Sequence, residues 1–207
     1  VNVWSTLEQI APNIKLYLNS IQAGEAEVFV NLENATRSAE ADMNIFTSEP
    51  EIRKSKISHV MYLNDLVNKK FVKNLNGLIC ADLNSGPKVK KEDLTNVDIL
   101  FASTEDYTMD YLESVFDKFI ILHSTNGSLF GMKGNYKKFK LKNTYISENI
   151  NVLGAGDMFA SFLMKNIIEN NLHNTFFDLK PSYLKSLVKD SHISTSNYLI
   201  KVNQLFN

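Results

Sequence analysis

The feature that most restricts this chain is a series of short, unbroken apolar runs, LICAD, VDILFAS and FIILHS. Each is separated from the next by a polar stretch with helical spacing. A strand that is apolar at every position, rather than at alternate ones, is covered on both faces. Such strands alternating with helices are the pattern of a mainly parallel sheet sandwiched by helices, an α/β fold. SHVMYLND and GLICADLN are read as buried strands, with VNKKFVKNLN as a short amphipathic helix between them. KEDLTN is read as a helical turn and TEDYTMDYLESVF as a helix leading into FIILHS.

Outside this central region the pattern changes. Leu7, Ile10, Ile14, Leu18 and Ile21 recur at three and four residues, predicting a helix over 6–21 that Pro12 interrupts. AEVFVNLE alternates and is read as a strand, a small β excursion around Val28 to Leu32. Gly134-Asn135 between two β-like pieces of SLFGMKGNYKKFKLK is a hairpin signal. A helix follows from Met158 to Asn170, carrying Phe159, Phe162, Leu163 and Ile167 on one face, and SYLKSLVKDSHISTSNYLIKV closes the chain as mainly helical.

Charge and cysteine usage exclude several classes. A net charge of −1 gives no global attraction to nucleic acid or anionic membrane, so an anionic ligand must be held by local groups. Cys80 is the only cysteine, which excludes an intrachain disulfide and a cysteine-based zinc site. Set in LICADL, it is read as a core residue. His59, His123, His173 and His192 lack metal-ligand spacing. With no apolar run of membrane-spanning length and no leader pattern at the start, a cytoplasmic protein is expected.

Chemistry concentrates in NVLGAGDMFASF. The chain has eight glycines, and Gly154 and Gly156 stand one residue apart at the mouth of a predicted helix. Helix starts carry backbone N–H groups without intrahelical partners, and the dipole adds positive charge there. Gly154, Ala155 and Gly156 can therefore form a main-chain anion pocket that suits a phosphate in transfer. Asp157 beside that pocket would repel a phosphate, but makes sense as the base that deprotonates an attacking alcohol. The tetrapeptide alone is also explained as a turn followed by an acidic first-turn residue.

The ordered segments between Ile79 and Phe162 resemble the ribokinase-like (PfkB-type) carbohydrate kinases. That family's signature, approximately Asp-Thr-x-Gly-Ala-Gly-Asp-x-Phe, appears here as NVLGAGDMF, with Asn151 and Val152 in place of the Asp and Thr. ICADLN resembles the family strand ending in Asp-x-Asn, at Asp82 and Asn84. VDILFASTEDY resembles the strand that leads to the metal-serving Asn-x-x-Glu motif, altered here to Ser103-x-x-Asp106 or, in a shifted register, Ala102-x-x-Glu105. FIILHSTNGSLF resembles the loop Thr-x-Gly-x-x-Gly, keeping Gly127 but with Leu122 and Ser124 for the Thr and first Gly. ATRSAEAD resembles an Arg-bearing strand, and Arg37-Ser38 leans toward nucleoside-type members.

The resemblance implies one ribokinase-like domain over 1–207, incomplete on its N-terminal side because the usual Gly-Gly substrate segment is missing, with a β lid segment over 25–40. It implies an ATP-dependent kinase that phosphorylates a hydroxyl of a sugar, or alternatively of a nucleoside. Asp157 would be the catalytic base, and Gly154, Ala155 and Gly156 the anion hole. Asn84, Ser124 and Gly127 would bind nucleotide, and Asp106 would serve Mg²⁺ through water. Adenine would lie near Ser191 to Asn197. A homodimer through the β lid is expected, with neither nucleic acid nor membrane as partner. Two rivals are a degenerate kinase-like binder, favoured by the altered metal motif, and a Rossmann dehydrogenase. The second is disfavoured because the glycine loop comes late and lacks Gly-x-Gly-x-x-Gly spacing.

Overall fold

The computed structural model describes residues 26–31, 36–41, 52–124, 127–132 and 154–206. The helix expected over 6–21 and the Gly134-Asn135 turn lie outside the described residues. β1 (Ala26–Asn31) and β2 (Thr36–Ala41) form a separate antiparallel pair, Ala26 opposite Ala41 and Asn31 opposite Thr36. The expected β excursion is thus a two-stranded ribbon, and Arg37 sits in its second strand opposite Val30.

The main sheet has five strands in the order β3 (Ile57–Val60), β4 (Leu78–Asp82), β5 (Ile99–Ser103), β6 (Phe119–Ser124) and β7 (Gly127–Met132). β3 to β6 are parallel and β7 is antiparallel to β6. The described α-helices are α1 (Met109–Val115), α2 (Ala155–Glu169) and α3 (Pro181–Phe206). None of the described helices is long and apolar enough to cross a membrane.

Successive side chains of a strand point to opposite faces, and here both faces are buried. On one, Ile79, Ala81, Leu100, Ala102, Ile120 and Leu122 pack against Leu63, Phe71, Val72, Leu94 and Leu112. Those partners belong to the connections between the parallel strands, which are short 3₁₀ turns at Leu63–Asp65, Lys70–Asn74 and Lys91–Leu94, and α1. Strands added in order, with crossovers of one hand, place every connection on the same face. The opposite face is formed by Leu78, Cys80, Ile99, Phe101, Phe119 and Ile121. It is covered by Phe159, Ala160, Leu163 and Ile167 of α2, by Phe176, and by Leu187 and Val188 of α3. Cys80 is fully buried there as expected, and burial, followed by the charge of Asp98, pushes its thiol up.

Several boundaries move from their sequence-based positions. SHVMYLND is a strand only to Val60; Tyr62 turns into the left-handed region, with φ 52° and ψ 47°, and opens a 3₁₀ turn. VNKKFVKNLN holds a five-residue 3₁₀ segment rather than an α-helix. The helix expected in TEDYTMDYLESVF begins late, because Tyr107 N–H donates to Ser103 O at 3.0 Å in a turn after β5. Thr108 then caps the helix, accepting from Tyr111 N. The hairpin of this region is β6–β7, closed by Ser124 opposite Gly127.

Candidate functional site

In parallel α/β sheets ligands bind beyond the carboxyl ends of the strands. The predicted residues Asn84 and Asp106 follow β4 and β5, and Ser124 is the last residue of β6, so they stand at this one end. α2 starts at the same end, since its first turn touches residues from the ends of β3 and β6.

Gly154 caps α2 with φ 77°, a left-handed conformation that glycine adopts without strain. The first intrahelical bond runs from Met158 N–H to Gly154 O at 2.9 Å. The amides of Ala155 and Gly156 precede that bond, so helix geometry leaves them without an intrahelical acceptor. Gly156 is required by proximity: a Cβ there would lie 2.8 Å from Cε1 of His123. Asp157 is half-buried, and the phenol of Tyr62 donates to its carboxylate, at 3.2 Å to one oxygen and 3.4 Å to the other. The first turn of α2 thus joins the main-chain donors of Ala155 and Gly156 to a carboxylate held by a neighbour.

A second group surrounds Asn84. Its Nδ2 donates to Asp65, and its Oδ1 accepts from Asn64 Nδ2 at 2.9 Å and from Gly86 N–H at 2.9 Å. Its backbone N–H donates to Asn64 Oδ1 at 3.1 Å, and its carbonyl accepts from Tyr107 Oη at 2.9 Å. This commits most of the Asn84 amide to tying the turn after β3 to the end of β4. Burial, then the nearby Tyr111, Asp106, Asp65 and Asp82, raises the Tyr107 phenol to about 12, so it stays a donor.

The remaining predicted residues are placed less directly. Ser124 Oγ donates across the hairpin to Gly127 O at 3.1 Å, and Gly127 has φ 115°. Asp106 stands in an exposed turn after β5. Among the described residues no group of three or more His, Cys, Asp and Glu side chains could hold a metal ion. Near the region assigned to adenine, His192 packs on Phe159 at 4.3 Å between ring centroids and shares a 2.6 Å hydrogen bond with Ser128 Oγ. Burial lowers its imidazole to about 4, leaving it neutral.

Sequence reasoning missed Tyr62, Asn64, Asp65 and His123. Three of them were absorbed into a strand that ends earlier than its apolar run suggests. The available signal was the polar Asn64-Asp65 pair closing that run, since polar residues at the carboxyl end of a parallel strand face the ligand end. A cleft of about 300 Å³ lies elsewhere, lined by residues including Lys69, Lys70, Lys73, Glu92 and Asp93, and includes none of the predicted site residues.

No family model matches the chain, and no curated protein matches it. Among solved structures, a ribokinase from Thermotoga maritima is similar with a TM-score of 0.60 and 16% identity, covering 95% of this chain and 70% of its own. A protein designated Sa239 is similar with a TM-score of 0.50 and 13% identity, covering 84% of this chain and 62% of its own. At such identities the likeness is one of architecture, and with its five-stranded, mostly parallel sheet the chain has a ribokinase-like α/β fold.

Proposed function

We propose that the protein is an ATP-dependent small-molecule kinase that phosphorylates a hydroxyl of a sugar or related carbohydrate. The observation that carries this reading is the first turn of α2, where Asp157 adjoins the amides of Ala155 and Gly156. Donors aimed at one point stabilise the charge that builds on the phosphoryl oxygens during transfer. The acceptor oxygen forms a bond to the γ-phosphorus as the bond from phosphorus to its bridging oxygen breaks. That bridging oxygen keeps the electron pair and leaves with ADP, while the acceptor proton passes to Asp157.

Mg²⁺ enters this reading with the nucleotide phosphates, as part of the co-substrate. When bound it would offset phosphate charge. Asn84, Ser124 and Gly127 remain the proposed nucleotide side, with Ser124 able to exchange its hairpin bond for a phosphate oxygen. The β1–β2 ribbon is the proposed lid and dimer surface. A nucleoside acceptor is the second reading, favoured by Arg37 lying in the lid strand β2.

The test is ATP consumption with a panel of sugars and nucleosides, with and without Mg²⁺. Acceptor-dependent ADP release is expected, and its loss in Asp157→Asn by about 10²–10⁴-fold at unchanged nucleotide affinity. Nucleotide binding with no transfer to any acceptor would instead identify a degenerate binder.

A further inference from the structure

Tyr62 is one of two non-glycine residues with positive φ among those described, and its φ of 52° places a bulky aromatic where such residues are rare. Strain of this kind persists only where the surroundings over-determine it, and it collects at functional sites. Here the surroundings are visible. Leu63, fully buried, anchors the next position in the core. Asn64 and Asp65 are tied to Asn84, and Asp65 N–H donates to Tyr62 O at 3.0 Å. The turn after β3 is therefore gripped from β4, and the grip delivers the Tyr62 phenol to Asp157, 95 positions later in sequence.

We infer that Tyr62 is a positioning residue for Asp157, its phenol holding the carboxylate in the ionised form and in a fixed orientation beside the amide pocket. This rests on the reading of Asp157 as the base. A donor to the charged form favours that form, which keeps the base competent at lower pH. Among the described residues, titratable side chains near this first turn include His123 of β6, against Gly156, and His192 of α3, against Phe159. His192 is occupied by Ser128, and Asp65, on the Tyr62 turn, by Asn84.

The experiment compares the intact chain with Tyr62→Phe, which keeps the ring and removes the proton. Tyr62→Asn is the second variant, since Asn tolerates the left-handed backbone but is too short to reach Asp157. The ¹³C resonance of the Asp157 carboxyl is followed against pH in each, alongside the pH–rate profile for ATP-dependent transfer. The expected result is that the carboxyl midpoint and the acidic limb of kcat both move to higher pH in both variants. A long bond to a charged acceptor makes the displacement of the limb roughly one pH unit. A carboxyl midpoint unmoved in Tyr62→Phe overturns the inference, whatever the activity. A moved midpoint with transfer unchanged at every pH also overturns it. A moved midpoint in a protein that transfers to no acceptor upholds the hold of Tyr62 on Asp157 and removes the kinase reading instead.

Discussion

Gly156 and His123 are in contact such that any side chain at position 156 must displace the imidazole: an ideal Cβ would sit 2.8 Å from its Cε1 and 3.2 Å from its Nε2. His123 in turn leans on Phe159, with ring centroids 6.0 Å apart, so it has limited freedom to retreat. Alanine would otherwise favour this helical position by roughly 0.5–1 kcal/mol. Overpacking costs about 1–3 kcal/mol. Gly156→Ala is therefore expected to lose about 1 kcal/mol net, and His123→Ala in the same chain to recover it. A double-mutant cycle by urea denaturation measures the coupling, expected near 1 kcal/mol.

Gly154 is constrained for a different reason. The nearest atom to an added Cβ is Asp157 Oδ2 at 4.0 Å, an ordinary contact, so space is not the issue. Its φ of 77° is. Alanine held there costs about 1–2 kcal/mol, and asparagine less. Stability by denaturant midpoint should fall in the order glycine, asparagine, alanine, and His123→Ala should rescue neither variant.

Two half-buried histidines set an acid limit on stability. Burial lowers His59 and His192 from 6.5 to about 4 in the folded chain. Between those values the unfolded chain binds more protons than the folded one. Stability is thus fully present above about pH 6.5 and declines as pH falls toward 4. The slope reaches about 1.4 kcal/mol per pH unit for each histidine. Urea unfolding at intervals from pH 7.5 to 5 should show this slope, and His192→Gln should make it shallower.

Asp98 ties three strands together at the amino ends. Its Oδ2 accepts from Ile79 N–H at 2.9 Å, and its Oδ1 pairs with Lys118 at 2.9 Å. Asp98→Ala leaves the Ile79 amide without this acceptor beside a buried strand, at a cost of about 1–3 kcal/mol. Lys118→Ala removes only a partly exposed charge pair, worth under about 1 kcal/mol. Denaturant midpoints of the two variants should differ accordingly.

Legibility in the sequence followed the physics of burial. LICAD, ILFAS and FIILHS were readable as strands because a doubly covered strand must be apolar throughout. GAGD was readable because few residues other than glycine permit both a left-handed cap and a close neighbour. The turn after β3 was not, since Val60, Met61, Tyr62 and Leu63 look like continued strand, and the bonds from Asn84 to Asn64 and Asp65 that hold the bend come from a distant part of the chain. Nor was His123, which matters through its contact with a glycine 33 positions on. Local spacing reports which face a residue buries, but not which residue from elsewhere meets it.

The two sides of the main sheet are completed at different times as the chain emerges from a ribosome. Each parallel strand arrives with its own connection, which seals the first side at once. The apolar row of Leu78, Cys80, Ile99, Phe101, Phe119 and Ile121 waits for α2 and α3, made after all five strands. During that interval a greasy, half-clad sheet is exposed to other nascent chains, a state prone to aggregation. Slow synthesis through 154–206 would lengthen the exposure, and holdase chaperones would find their target in that row.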